Sequence, residues 1–190
     1  MKRLTSFSLA LLIALTLTLV AGCGGGGTPT SSPSTVSGNE SGETTGEYVG
    51  LWQASPVVGS GYAERLALNA DGTFYRAESQ MDGLTRERFS SGIWTVDNGV
   101  LRLAITERLV WEGGTVENNP ILGGDALVDP LMVLVEGPGT LTYQLSAVTT
   151  DQEANGKQTF TADGTQYWEL AAEPDSLRKD YEDARALALS

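Results

Sequence analysis

The stretch Gly92-Ile93-Trp94-Thr95-Val96-Asp97-Asn98-Gly99-Val100-Leu101-Arg102-Leu103-Ala104-Ile105 decides the fold. Its apolar residues alternate with polar or small ones on either side of an Asn-Gly dipeptide. Alternation with period two puts Leu101, Leu103 and Ile105 on one face of a strand. Asn-Gly accepts the positive φ values of a tight hairpin turn, so the segment predicts two antiparallel strands joined at Asn98-Gly99.

The same grammar spreads outward from this hairpin. Arg65 to Asn69 enters a turn at Asp71-Gly72, and Thr73 to Arg76 leaves it. Asp82-Gly83, Asn155-Gly156 and Asp163-Gly164 repeat the turn signal. Further strands are expected over Tyr48 to Ala54, near Arg86 to Ser90, and over Leu131 to Val135, Leu141 to Val148, Gln158 to Thr161 and Gln166 to Leu170. Roughly nine short strands result, and closing such a meander into a small barrel removes the open edges that invite aggregation. Only the end of the chain reads as helix: Pro174 suits a first turn, Asp175 lies near its positive end, and Leu177, Tyr181, Ala184 and Ala188 recur at helical spacing. The predicted class is mainly β, an antiparallel meander closed into a small barrel, with a C-terminal α-helix laid on it.

Gly50-Leu51-Trp52 is echoed by Gly92-Ile93-Trp94, and Ala70-Asp71-Gly72-Thr73 by Ala162-Asp163-Gly164-Thr165. The offsets between the two members of each pair differ, so this is recurrent hairpin chemistry rather than duplication. The stretch from Gly113 to Pro130 is rich in Gly, Pro and Asn yet holds Ile121, Leu122, Leu127 and Val128. It is expected to be a long loop, either a lid or a cover on the core.

The N-terminus is built differently. Lys2 and Arg3 precede an apolar run from Leu9 to Val20, followed by small residues and Cys23. A helix of that run rises about 18 Å, short of the roughly 30 Å hydrocarbon layer, so it reads as a removable export signal rather than a permanent span. The run Leu19-Val20-Ala21-Gly22-Cys23 resembles the lipobox of bacterial lipoproteins. That resemblance implies cleavage before Cys23, a diacylglycerol on its thiol and an acylated new amino terminus. Three acyl chains make an effectively permanent membrane anchor. It implies a lipid-anchored protein of the bacterial cell envelope; Gly24 in place of an aspartate favours the outer membrane, facing the periplasm, in a Gram-negative cell. Four divisions follow: a signal over 1–22, the lipidated Cys23 with a Gly/Ser/Thr/Pro tether over 23–46, the β domain over 47–172 and the helix over 173–190. As a flexible coil the tether spans roughly 25 Å.

A second resemblance rests on Gly50-Leu51-Trp52, on Leu66-Ala67-Leu68-Asn69-Ala70-Asp71-Gly72-Thr73-Phe74, and on Ser91-Gly92-Ile93-Trp94-Thr95-Val96-Asp97-Asn98-Gly99-Val100-Leu101-Arg102-Leu103. These strings are similar to the small lipocalin-like domains of bacterial envelope lipoproteins. The resemblance implies that Trp52 closes one end of a barrel, where lipocalins commonly place an arginine of the last strand over the indole. Thr165 to Ala172 supplies no such arginine.

Composition limits the chemistry. The chain carries 12 basic and 24 acidic residues, a formal net charge of −12. Removal of Lys2 and Arg3 with the signal leaves 10 basic against 24 acidic residues, a net of −14. Such a chain is repelled by phosphate backbones and anionic lipid surfaces, so nucleic acid is not an expected partner and contact with the membrane is expected through acylated Cys23 alone. There is no histidine and one cysteine, which removes histidine-based nucleophile systems, the usual zinc sites and any internal disulfide. Asp151-x-Glu153-x-Asn155-Gly156 resembles the start of a calcium loop, but Ala162 stands where the bidentate glutamate belongs. No enzyme activity, metal or cofactor is expected.

Six of the ten basic residues of the processed chain, Arg65, Arg76, Arg86, Arg88, Arg102 and Arg108, fall within 44 positions. An arginine facing into a barrel mouth can hold a carboxylate or phosphate by a bidentate pair. Arg76, Arg86 and Arg88, with Trp94 as a neighbouring aromatic, are therefore the candidate ligand-binding residues. Two functions stand: a barrel that binds a small apolar or amphipathic molecule, or a filled barrel acting as a protein-interaction module, as a scaffold, stress sensor or inhibitor-like domain. An interior cavity of about 300 Å³ or more favours the first and a filled interior the second.

Overall fold

A computed structural model describes residues 46–57, 62–120, 123–171 and 173–190. The expected signal, Cys23 and nearly all of the tether lie outside the described residues. The strands are β1 (Gly50–Gln53), β2 (Arg65–Leu68), β3 (Thr73–Ala77), β4 (Glu87–Asp97), β5 (Val100–Glu112), β6 (Thr115–Asn119), β7 (Gly124–Val128), β8 (Leu131–Gln144), β9 (Thr149–Asp151), β10 (Lys157–Ala162) and β11 (Thr165–Glu169), and the helix is α1 (Asp175–Ala188). Nine strands form one antiparallel sheet in the order β8-β5-β4-β3-β2-β1-β11-β10-β9, and β6 pairs with β7 alone. The class is mainly β with one C-terminal helix.

The Asn98-Gly99 turn joins β4 to β5 with φ of 50° and 75°, both in the left-handed region that a two-residue hairpin demands. Register runs Trp94↔Leu103 and Val96↔Leu101, so these four side chains share a face. Asp71-Gly72, Asn155-Gly156 and Asp163-Gly164 likewise sit in turns between paired strands. Asp82-Gly83 also turns between paired strands, β3 and β4, but in a longer connection without positive φ: the Thr85 N–H donates to the Asp82 carbonyl at 3.1 Å and the Asp82 carboxylate accepts from the Leu84 N–H at 2.9 Å.

Three expectations are corrected. The strand expected near Arg86 to Ser90, which begins at Glu87, and the one over Gly92 to Val96 are a single strand, β4, bulged between Glu87 and Phe89 and between Ser91 and Gly92. Leu131 to Val135 and the first part of Leu141 to Val148 belong to one strand, β8, which ends at Gln144, and eleven strands among the described residues replace the roughly nine foreseen. The stretch from Gly113 to Pro130 is not a bare loop, because it contains the hairpin of β6 and β7.

Two faces of the large sheet are buried differently. The core face gathers Trp52, Leu66, Leu68, Phe74, Trp94, Val96, Leu101, Leu103, Ile105, Phe160 and Tyr167 in one cluster with Tyr48. On the opposite face Leu51, Ala67 and Ala77 meet Leu177 of α1. Tyr181 follows one helical turn later, against Tyr75 and Phe89 at centroid distances of 5.2 and 6.2 Å. Its hydroxyl donates to Glu107, which also takes two hydrogen bonds from Arg185, each 3.0 Å. Those donors hold the Glu107 carboxyl below its ordinary pKa. An isolated bridge, Leu145↔Ala162, links the end of β8 to β10, and Ser146 and Asp163 donate backbone N–H groups across it to Thr161 and Gln144 at 3.0 Å.

Candidate functional site

Along the core face the filling changes from rings to ions. In the first half, Trp52 is wholly buried and its indole N–H donates to the Tyr48 carbonyl at 2.8 Å. Phe160 meets Trp52 edge-on at 4.7 Å, meets Tyr48 edge-on at 5.4 Å and stacks on Tyr167 at 5.4 Å. Such edge-to-face pairs are favoured by the ring quadrupole. Phe160, rather than an arginine, covers the indole that the lipocalin resemblance places at a barrel end. Trp94 is also fully buried, and its N–H donates to the Asn69 carbonyl at 2.9 Å. It belongs to the core.

Period two carries Arg76 onto the same face as Phe74. There its Nε and Nη2 donate to the two Glu64 oxygens at 2.9 and 3.1 Å, and its Nη1 donates to Glu78. The Tyr167 hydroxyl adds a 2.7 Å bond to Glu64. Side-chain exposure of Arg76, Glu64 and Glu78 is only 13, 16 and 17%. Burial opposes the charge on Arg76, but the hydrogen bond and charge of Glu64, with the charge of Glu78, outweigh it and hold the guanidinium protonated. Burial pushes the Glu78 carboxyl up to about 7; Arg76 opposes the shift, and Glu64 and Glu87 add to it. Two carboxylates compete for one cation. Arg76 is thus internally neutralised, with three of its five N–H donors on two carboxylates, and its charge is already answered within the fold.

Arg86 is also engaged, donating from Nη1 to the carbonyls of Trp111 and Gly113 at 3.1 Å each. It fastens the far end of β5. Arg108 lies 3.5 Å from Glu87, and Arg65 pairs with Asp180 of α1 at 3.1 Å. Arg88 differs from all of these. It is 8% exposed, its guanidinium carbon lies 4.1 Å from the centre of the Trp111 ring, and its side chain makes no hydrogen bond or ion pair with any described residue. Burial alone lowers its pKa from the ordinary value. It borders a cleft of about 190 Å³ with Tyr62, Gln80, Asp82, Trp111 and Asn119.

The four candidates are therefore not brought together: Trp94 is core, Arg76 a buried ion pair, Arg86 a backbone fastener, and Arg88 alone addresses a cleft. Glu64, Glu78 and Trp111 were not foreseen. The Arg76-x-Glu78 spacing carried a signal, since residues two apart on a strand share a face. Asp151 organises the turn before β10 by accepting from the N–H groups of Glu153 and Ala154, and from the Trp168 indole at 2.8 Å. Among the described residues no group of three Asp, Glu, His or Cys can hold a metal ion. A separate groove of about 370 Å³ runs between β1, the end of β11 and the start of α1, with Lys157, Glu169 and Glu173 on its walls.

Compared with protein-family models, with curated proteins and with solved structures, the chain gives no match.

Proposed function

We propose that this is a non-catalytic, lipid-anchored protein of a bacterial envelope whose sheet closes into a small filled barrel, and that it acts as an interaction module through its outer surface. The observation that carries this reading is the filled core face. Trp52, Trp94, Phe74, Phe160, Leu101 and Leu103 are each at most 1% exposed, and the ion-paired Glu64, Arg76 and Glu78 occupy the space beyond them. Small barrels are filled by side chains as readily as they are hollowed for a ligand.

Closure itself is supported by two observations. Leu101 of β5 and Phe160 of β10 share one core cluster although six strand spacings separate them in the sheet order. In a flat sheet those spacings amount to roughly 29 Å. The Leu145↔Ala162 bridge supplies the second.

Native mass spectrometry and titration with a long-chain fatty acid and an apolar dye test the filling. The expected result is no saturable binding that perturbs Trp52 or Trp94; a one-to-one complex that quenches either of these buried indoles would restore the hollow-barrel reading. The anchor is tested separately, because Cys23→Ser is expected to leave the protein unprocessed or released from the membrane fraction. Unchanged mass and membrane retention would remove the lipoprotein assignment. Hydrogen exchange tests closure: the Ser146 and Asp163 amides are expected to be protected as strongly as those of β4.

A further inference from the structure

Arg88 presents a charge that the described fold leaves unanswered. Its side chain sits at the β4 bulge between Glu87 and Phe89, where one extra residue opposes β5, and bulges commonly re-aim a side chain. Withdrawing most of a guanidinium from water with a ring face as its one charge-stabilising contact is costly, since cation–π attraction recovers only about 0.5–2 kcal/mol of the desolvation penalty. Every other arginine on β2 to β5 whose side chain is at least half-buried, Arg65, Arg76 and Arg108, has a carboxylate within 3.5 Å. Asp82 borders the same cleft, yet it forms no ion pair with Arg88 and one of its oxygens is used by the Leu84 N–H.

We infer that the cleft under the β6–β7 hairpin is a binding site for a small monocarboxylic acid with an aromatic or branched apolar body, whose carboxylate pairs with Arg88. A guanidinium whose carbon lies 4.1 Å from the Trp111 ring centre, with no hydrogen bond to a described residue, has its N–H donors available for the bidentate fork that a carboxylate matches. Tyr62 and Trp111 supply apolar walls, while Gln80 and Asn119 supply polar ones. The volume of about 190 Å³ falls below that of a drug-sized pocket and suits a small acid. A chain of net charge −12, with Asp82 beside the cleft, repels polyanions and penalises a monoanion least. None of these lining residues belongs to the aromatic core cluster, so this site stands or fails apart from the filled-barrel reading.

Calorimetric titration of the full chain with benzoate, its neutral analogue benzamide and inorganic phosphate tests the inference. Benzoate is expected to bind one-to-one, with benzamide and phosphate each at least about tenfold weaker, and to shift the Arg88 Nε–H resonance. Arg88→Gln is expected to weaken benzoate by about tenfold or more, and Arg88→Lys by less, because charge survives without the fork. Arg102→Gln, on an exposed β5 position, is expected to bind as the parent does. Equal affinity for benzoate and benzamide in the unmutated chain would overturn the proposal without requiring any variant to fold. Benzoate binding unchanged in Arg88→Lys and Arg88→Gln, or phosphate binding as tightly as benzoate, would overturn it as well.

Discussion

Between Tyr48 and Trp94 the core face is filled with aromatic rings whose polar atoms are each matched by one carbonyl, whereas around Arg76 the space is filled by three ions with Tyr167 and, from β8, the half-buried Tyr143. The strands do not change character between these halves: Leu66 is paired with Arg76, and Phe74 precedes Arg76 by one period. What changes is the reversibility of the filling. Rings cannot be discharged, but a carboxylate can be protonated, so one half of the core is indifferent to pH and the other is not.

The largest expected effect breaks the aromatic half. Trp52→Ala removes a fully buried indole and leaves Phe160 without one of its edge contacts; a loss of roughly 3–5 kcal/mol is expected by denaturant unfolding. A loss below about 1 kcal/mol would mean that this half is not the stabilising one.

Next comes the ion cluster. Arg76→Met strands Glu64 and Glu78 without their cation and is expected to cost roughly 3–5 kcal/mol at pH 8. The triple variant Glu64→Gln, Arg76→Met, Glu78→Gln is expected to regain most of that, because removing all the charges also removes the desolvation penalty. A triple variant no better than the single one would show that the ions are indispensable.

The third effect is pH dependence. Glu78 titrates near 7 in the folded chain and at its ordinary value of 4.5 when unfolded. A carboxyl raised in the folded state gives stability that is complete below about 4.5 and is lost as pH rises through about 7. Stability is therefore expected to fall by up to roughly 3 kcal/mol between pH 5 and pH 8, and Glu78→Gln is expected to flatten that slope. Equal melting profiles of parent and variant across this range would contradict the assignment. The smallest effect belongs to the helix face: Arg185→Ala is expected to cost about 1 kcal/mol or less, because the Arg185–Glu107 pair is partly exposed at 37 and 23%.

How far the sequence disclosed this arrangement depended on whether a residue's role was local. Leu101, Leu103, Ile105 and the Asn98-Gly99 turn were legible because alternation and turn chemistry act over a few neighbours. The junctions within β4 and β8 were not, because Ser91-Gly92 and the stretch Glu136-Gly137-Pro138-Gly139-Thr140 interrupt the alternation of apolar residues. A Cβ at Gly92 would strike the Ala104 carbonyl, and one at Gly139 would strike the Arg108 guanidinium, so both glycines are spaces for neighbours that lie far along the chain. Pro138 is tolerated because β8 lies at the end of the sheet order. The β6–β7 hairpin was hidden for another reason. Thr115 to Asn118 are exposed on both faces and carry no alternation to detect. The arginine cluster was visible as a cluster, but which members are neutralised depends on Glu64 and Trp111, whose approach only the fold creates.

The pairing of β1 with β11, through Trp52↔Glu169 and Gln53↔Trp168, has a consequence in time rather than space. Strand β11 begins about 115 residues after β1. At a synthesis rate of roughly 5–20 residues per second, β1 waits some 6–23 seconds for its second neighbour. Until then the indole of Trp52 lacks both Phe160 and Tyr167, and one edge of β1 stays open to any other strand. Pairings this distant along a chain form slowly. The domain cannot be finished piecemeal, and its most vulnerable moment precedes the arrival of its last strands.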